Sequence, residues 1–308
     1  MRFDPPDTTP ATVEQILQGL DDDQRSAITA PPGVVVVRAG AWSGKTTVLT
    51  RRIAWRVATE SASPDHVLAI TFTRQAATEM RTRLRRFGID GSPQIHTFHA
   101  LGLRLLTQRA ADTNKPKPLV VTNRMAVLSG VLGTDAKQSS LSGIANAIDH
   151  AAVRMLSGRD LDSALSASGI QSDVTREQFE RIIARYEDAK RKRGVVDTND
   201  LIAHVVRDAK RDPRFVHSMR HQFRHISVDE AQDMNPLQYE FLRLLVTDTP
   251  DLFVVGDPNQ AIFGFNGADN RLFEELPGLG AGARVVTLPS NYRCTPQVVD
   301  AEIGRAHV

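Results

Sequence analysis

The chain has 308 residues, of which 41% are apolar and 24% charged, with 20 Gly and 16 Pro; these proportions fit a folded globular chain and exclude a disordered, collagen-like or fibrous one. Thirty-eight Lys and Arg against 36 Asp and Glu leave a net charge of only +2, so no global basic field points to a polyanionic partner. The single cysteine, Cys294, excludes an internal disulfide, no run reaches the ~18 apolar residues of a membrane span, and the acidic, Pro-rich start is unlike a signal peptide; a cytoplasmic protein with no membrane partner is expected.

Over the first part of the chain, short apolar runs alternate with helical patterns. VVVVRAG (34–40) precedes a helix after Gly44, VLAITF (67–72) precedes a helix over 74–87, and QIHTF (94–98) follows. That alternation predicts crossover units and a parallel sheet. Helical stretches then dominate (124–133, 139–156, 175–193 and 198–209), with PLVVT (118–122) the one strand-like run among them. Strand-like runs return at HISVDE (225–230), DLFVVGD (251–257) and RVVTLP (284–289), so an α/β domain is expected to be split by a helical insertion. Arginines 74, 81, 83, 85 and 86 and the run KRKR (190–193) form basic helix faces that suit phosphates. The last seven residues, EIGRAHV, back-translate to GAGATCGGAAGAGCACACGTC, a common sequencing-library adapter, so 302–308 is expected to be read-through and is excluded from fold reasoning.

Two motifs carry chemistry. AGAWSGKTT, from Ala39 through Gly40, Ala41, Trp42, Ser43, Gly44, Lys45 and Thr46 to Thr47, lies between a β-branched run and a helix. Such a loop turns successive backbone N–H groups toward nucleotide phosphates at a helix N-terminus; Lys45 would reach the β- and γ-phosphates, and the Thr46 hydroxyl would ligate Mg²⁺. The second motif is VDEAQD (228–233), at the end of a strand. Adjacent carboxylates leaving a strand point opposite ways, so Asp229 can hold Mg²⁺ through water while Glu230 polarises an attacking water.

With their neighbours, these segments resemble the first core domain of superfamily-1 DNA helicases of the UvrD/Rep/PcrA type. LDDDQRSAI (20–28) resembles the adenine-reading Q motif, AITFTRQAATEMRTRL (69–84) the motif written TFTNKAAxEM, and HTFHALGLRLL (96–106) the next single-strand contact motif. VVGDPNQAIFGFNGAD (254–269) resembles the motif joining γ-phosphate sensing to DNA, and LPSNYRCTPQVV (288–299) the arginine-bearing motif opening the second core domain. The resemblance implies a RecA-like domain 1A over 12–104 and 195–282, an all-helical 1B insertion over 105–194, and the start of domain 2A at 283–301, whose first strand, RVVTLP, would have no sheet to join.

The resemblance also implies roles. Gln24 would read the adenine edge and Tyr292 stack on the base. Gln260 would contact the γ-phosphate, and Arg293 would act as arginine finger. Phe72, Phe98, His99, Phe263 and Phe265 would meet single-stranded DNA. VVDTNDLI (195–202) resembles the DFDDLL segment, with Asp197 and Asp200 as caps and structural acceptors. Three positions depart from the pattern: Trp42 replaces a Gly in the phosphate loop and opposes nucleotide binding, Asn266 replaces an Arg, and Thr47 replaces an adenine-facing Arg. The implied activity is that of an ATP-dependent DNA helicase, a 3′–5′ single-strand translocase using ATP and Mg²⁺ on single strands and ss/ds junctions, of which this chain is the N-terminal part. The alternatives are a nucleotide- and strand-binding fragment without turnover, and the N-terminal part of an AddA/RecB-like helicase–nuclease.

Overall fold

The structure, a computed structural model, describes residues 10–40, 43–89, 93–132, 138–170, 172–260 and 267–288. In chain order the elements are α1 (Val13–Leu17), α2 (Asp22–Thr29), β1 (Val34–Ala39), α3 (Lys45–Ala58), β2 (Val67–Thr71), α4 (Arg74–Arg85), β3 (Gln94–Thr97) and α5 (Phe98–Asp112). There follow β4 (Leu119–Val120), α6 (Arg124–Leu132), α7 (Gln138–Arg154), α8 (Leu161–Ala167), α9 (Arg176–Arg193) and β5 (Val195–Val196). The chain continues with α10 (Thr198–Arg211), α11 (Pro213–Gln222), β6 (His225–Val228), α12 (Pro236–Leu245), β7 (Leu252–Gly256), α13 (Arg271–Glu275) and β8 (Arg284–Leu288).

Six strands form one sheet in the order β3-β2-β6-β7-β1-β8, and every pairing in it is parallel. The central strands read as continuous apolar runs because helices cover both faces. In β1 the side chains alternate between two cores: Val34 and Val36 pack with Leu68, Ile70 and Phe241, whereas Val35 and Val37 pack with Leu49, Ile53 and Met80. The chain therefore has the α/β architecture of a RecA-like domain, and in such open parallel sheets the C-terminal strand ends are the edge where ligands generally bind.

Three sequence expectations are corrected here. RVVTL does not lack a sheet: β8 runs parallel to β1, pairing Val35 to Ala39 with Arg284 to Leu288. Otherwise the edge of β1 would expose a row of unpaired amide groups, and Val286 and Leu288 would lose their packing on the α3 side of the core. The boundary expected at 104 falls inside α5, which continues to Asp112 and keeps Leu101, Leu105 and Leu106 in the core of the sheet domain. The insertion is also not purely helical, because β4 and β5 pair in parallel at its base.

Helices α6 to α9 enclose a separate apolar cluster that includes Val127, Leu128, Ile148, Leu161, Phe179 and Tyr186. Helix α9 begins at a Thr175–Gln178 capping box and ends at Gly194, whose φ of 64° is the left-handed conformation of a C-cap. Beside that end, Lys190 turns inward and is 3% exposed, with Nζ 2.9 Å from Asp197 Oδ2 and 2.6 Å from Asp200 Oδ2. The run KRKR, which could meet phosphates as one basic face, is thus split: Lys190 is buried in an ion cluster, while Arg191, Lys192 and Arg193 stay exposed. Asp197 also caps α10 reciprocally with Asp200.

Candidate functional site

The phosphate loop leaves β1 at Ala39, where the next residue, Gly40, accepts from the Ser43 hydroxyl (2.8 Å) and the Ser43 N–H (3.3 Å) through its carbonyl. These bonds fold the loop back on itself; Ala41 and Trp42, between them, lie outside the described residues. Gly44 opens α3 at φ 84°, and a Cβ there would also sit 3.1 Å from Gln24 Nε2. The left-handed φ favours glycine here, and a Cβ would in addition press on the Gln24 amide.

Three strand ends bring the polar side chains together. From α3, Lys45 Nζ donates to Gln260 Oε1 at 3.0 Å and lies 3.4 Å from Glu230 Oε2, and the Thr46 hydroxyl donates to Asp229 Oδ2 at 3.3 Å. Asp229 and Glu230 follow β6, and Gln260 follows β7, 215 positions along the chain from Lys45. Glu230 takes the left-handed conformation at φ 50°, and its N–H donates to Asp229 Oδ1. The Asp229 carboxyl, 2% exposed, is pushed up to about 6 by burial first and then by the Glu230 charge; the same two causes push Asp233 up to about 6.

This chemistry fits a hard divalent cation. A hydroxyl and a buried carboxylate 3.3 Å apart, with the Glu230 carboxylate beside them, are oxygen donors of the kind Mg²⁺ takes. Among the described residues, no group of three or more His, Cys, Asp or Glu could hold a metal, so a cation here would complete its shell with water and phosphate oxygens.

The remaining predicted residues are placed as follows. Gln24 is 5% exposed; its Oε1 accepts from the Asp21 N–H as part of the α2 capping box, and its Nε2 donates to the Ser43 carbonyl at 3.1 Å. Its amide thus braces the loop. Thr47 Oγ1 accepts from Arg83 Nη1 at 3.2 Å, which brings a guanidinium from α4 beside the position where the family pattern has an arginine. The sequence shows Arg83 only as part of a basic helix face; its contact with Thr47 spans 36 residues, and no local period signals it.

On the expected DNA side, Phe98 is corrected: it is 1% exposed, and its ring packs on Phe241 at 6.3 Å, in the core and closed to any base. Phe72 is half-buried, 5.5 Å from the Phe98 ring. His99 is half-buried too, and burial lowers its pKa. Phe263, Phe265, Tyr292 and Arg293 lie outside the described residues, as does Asn266. Gln232 and Asp233, inside the quoted VDEAQD motif, reach the site without having been singled out. The two-residue step from Glu230 to Gln232 was the available signal, and it was legible only once the left-handed turn at Glu230 was known.

Among the described residues, no helix is long and apolar enough to cross a membrane. Residues 20–278 match the family model described as UvrD/REP helicase N-terminal domain. The chain is 32% identical over 299 residues to DNA helicase II of Escherichia coli (strain K12), covering 94% of this chain and 40% of that protein. It is 34% identical over 304 residues to ATP-dependent DNA helicase UvrD2 of Mycobacterium tuberculosis (strain ATCC 25618 / H37Rv), covering 93% and 43%. To ATP-dependent DNA helicase UvrD1 of the same strain it is 33% identical over 320 residues, covering 96% and 40%. The chain thus spans about 40% of the length of DNA helicase II. The 39–47 loop, the acid pair Asp229 and Glu230, and Gln260 share one edge of a parallel sheet, and the family model covers the residues that build it: the chain belongs to the UvrD/REP helicase N-terminal domain family.

Proposed function

We propose that this chain is the ATP-binding part of a DNA helicase motor, holding ATP and Mg²⁺ at the C-terminal ends of β1, β6 and β7, in a longer protein that translocates 3′ to 5′ on single-stranded DNA. The observation that carries the reading is the convergence of Lys45 on Gln260 at 3.0 Å and on Glu230 at 3.4 Å, with Thr46 on Asp229 at 3.3 Å. These are the groups phosphoryl transfer needs: a cation for the phosphates, a hydroxyl–carboxylate pair for a metal, a base and a sensor. Thr46 and Asp229 would hold Mg²⁺, which when bound offsets charge on the phosphate oxygens.

The ammonium of Lys45 is neutralised here by Glu230 and bonded by Gln260. A triphosphate competes for it; once Lys45 moves to the phosphates, the Glu230 carboxylate is free to accept a proton from water. Glu230, with its side chain 38% exposed, faces solvent from which that water can come. Gln260 gives up the ammonium at its Oε1 and donates from Nε2 to a phosphate oxygen, and so reports the γ-phosphate toward Phe263 and Phe265. Phe72, His99, Phe263 and Phe265 are proposed as strand contacts at single strands and ss/ds junctions, and base–aromatic stacking is worth ~1–3 kcal/mol per base. Tyr292 and Arg293 are proposed at the base and the γ-phosphate, and Gln24 reads adenine after releasing the Ser43 carbonyl.

Titration of a fluorescent ATP analogue tests the reading. Binding is expected to require Mg²⁺, to tighten in Trp42→Gly, where the loop regains its Gly, and to disappear in Lys45→Ala. Equal affinity of Lys45→Ala and the unchanged chain would overturn the assignment.

A further inference from the structure

Gln232 is 2% exposed and has a separate bond at each end of its amide. Its Nε2 donates to Glu230 Oε2 at 2.9 Å, and its Oε1 accepts the Asp257 N–H at 2.9 Å. The Asp257 carbonyl accepts the Gln260 N–H at 3.0 Å, Gln260 Oε1 accepts from Lys45 Nζ at 3.0 Å, and Lys45 lies 3.4 Å from Glu230. Glu230, Gln232, Asp257, Gln260 and Lys45 therefore form a closed ring.

Only an amide serves both ends of this link. It must donate to a carboxylate and accept from a backbone N–H, which a carboxylate or an apolar side chain of similar length cannot do together. The position is built around it. Any Cβ at Gly256 would lie 2.8 Å from Gln232 Oε1 and 2.5 Å from the Phe273 ring, so the strand end is glycine where the amide passes. The left-handed Glu230, at φ 50°, turns the chain so that residue 232 faces back on residue 230.

We propose that Gln232 is a positioning residue, tying the carboxylate of Glu230 to the β7 turn that carries Gln260, so that a change at Lys45 or Glu230 is transmitted to Asp257. The proposal rests on the nucleotide-site reading above. A phosphate that draws Lys45 away opens the ring at its two Lys45 contacts, while the Gln232 link still holds Glu230 in register with the turn that carries Gln260.

The test reads amide exchange at the Asp257 N–H by NMR in the nucleotide-free chain, for the unchanged protein, Glu230→Ala, Gln232→Met and the double variant. Gln232→Met should speed exchange at Asp257 by about fivefold, the scale of one lost hydrogen bond of ordinary net strength. Glu230→Ala should shift it several-fold when Gln232 is present and not at all when Met is there. Equal shifts in both backgrounds, or none in either, would overturn the proposal. Gln232→Leu is the second variant: like Met it offers neither donor nor acceptor, so it should reproduce the faster Asp257 exchange and the lost response to Glu230→Ala. A response that persists would also overturn it. Failure of the nucleotide reading would appear separately, as absence of ATP–Mg²⁺ binding by the unchanged chain, while the exchange cycle is read without nucleotide.

Discussion

Glu230 holds a backbone conformation that side-chain-bearing residues seldom adopt, at φ 50°, and such a residue costs of order 1–3 kcal/mol unless its surroundings impose it. Here the imposing groups are Asp229, which accepts its N–H, and Gln232, which holds its carboxylate. In the longer protein, Glu230→Gln is expected to leave ATP binding near normal while abolishing turnover, because the amide preserves size but cannot take a proton. Measured kcat alongside nucleotide affinity checks this, and a near-normal kcat would remove Glu230 from the base role. Lys190 presents the opposite case, a charge withdrawn from solvent. Asp197 is held below the usual carboxylate range: burial pushes it up, but the Lys190 ammonium more than offsets that. Its stabilising contribution is therefore present above the ordinary carboxylate value of 3.8 and lost as pH falls below it; the raised pKa of Lys190 keeps its own contribution intact up to at least its ordinary value of 10.5. Lys190→Met leaves two buried carboxylates without their cation and should destabilise the chain by ~3–5 kcal/mol at pH 7. In that variant the acid response changes sign: a buried, uncompensated carboxylate binds protons better folded than unfolded, so stability should rise from pH 7 toward pH 5. Urea unfolding at the two pH values decides, and further loss of stability on acidification would count against the account.

At the scale of elements, α5 and α10 approach each other more closely than side chains would allow. A Cβ at Gly102 would lie 2.7 Å from the Leu201 carbonyl oxygen, a backbone atom that cannot turn aside. Alanine in place of glycine gains ~1 kcal/mol of helix propensity. The forced separation of the helices should outweigh that gain, since overpacking costs ~1–3 kcal/mol and the Phe98, Leu101 and Leu105 side of α5 is already close-packed. Gly102→Ala should therefore lower the urea midpoint without changing the slope, and an unchanged or raised midpoint would mean that the two helices slide apart freely. The same packing explains why the expected boundary at 104 fails: the helix signal continues through it, and half of the helix is needed to cover the sheet.

For the molecule as a whole, the insertion does not stand apart from the sheet edge that carries Lys45, Asp229 and Gln260. Val153 of α7 occupies the space where a Cβ of Gly267 would lie, at 2.5 Å, and Arg154 lies 3.9 Å from Asp269, in the segment that follows the sensor turn. An ATP cleft between two RecA-like domains needs both walls, whereas this chain spans 40% of the length of DNA helicase II. Purified as it is, the chain should bind ATP–Mg²⁺ but displace no strand from a 3′-tailed duplex, because translocation needs two grips whose spacing changes with nucleotide state. ATP-dependent strand displacement by this polypeptide would show that a single domain suffices.

What the amino-acid order determined by itself is local: the strand–loop–helix around Gly44 and Lys45, the acid pair at the end of β6, the caps at Asp197 and Asp200, and the apolar run that makes β1 a strand. Each depends on spacings of a few residues, which backbone geometry turns directly into contacts. The tertiary structure decided the rest, because burial and pairing over long separations leave no periodic trace. It placed Phe98 in the core rather than at the strand path, turned Lys190 inward while its neighbours stayed in solvent, and brought Arg83 to Thr47. It also gave β8 to the free edge of β1, and it closed a ring through Gln232 that joins residues up to 215 positions apart. A Phe or a Lys carries the same local signal whether it faces water or the interior, and only the elements that pack against it settle which.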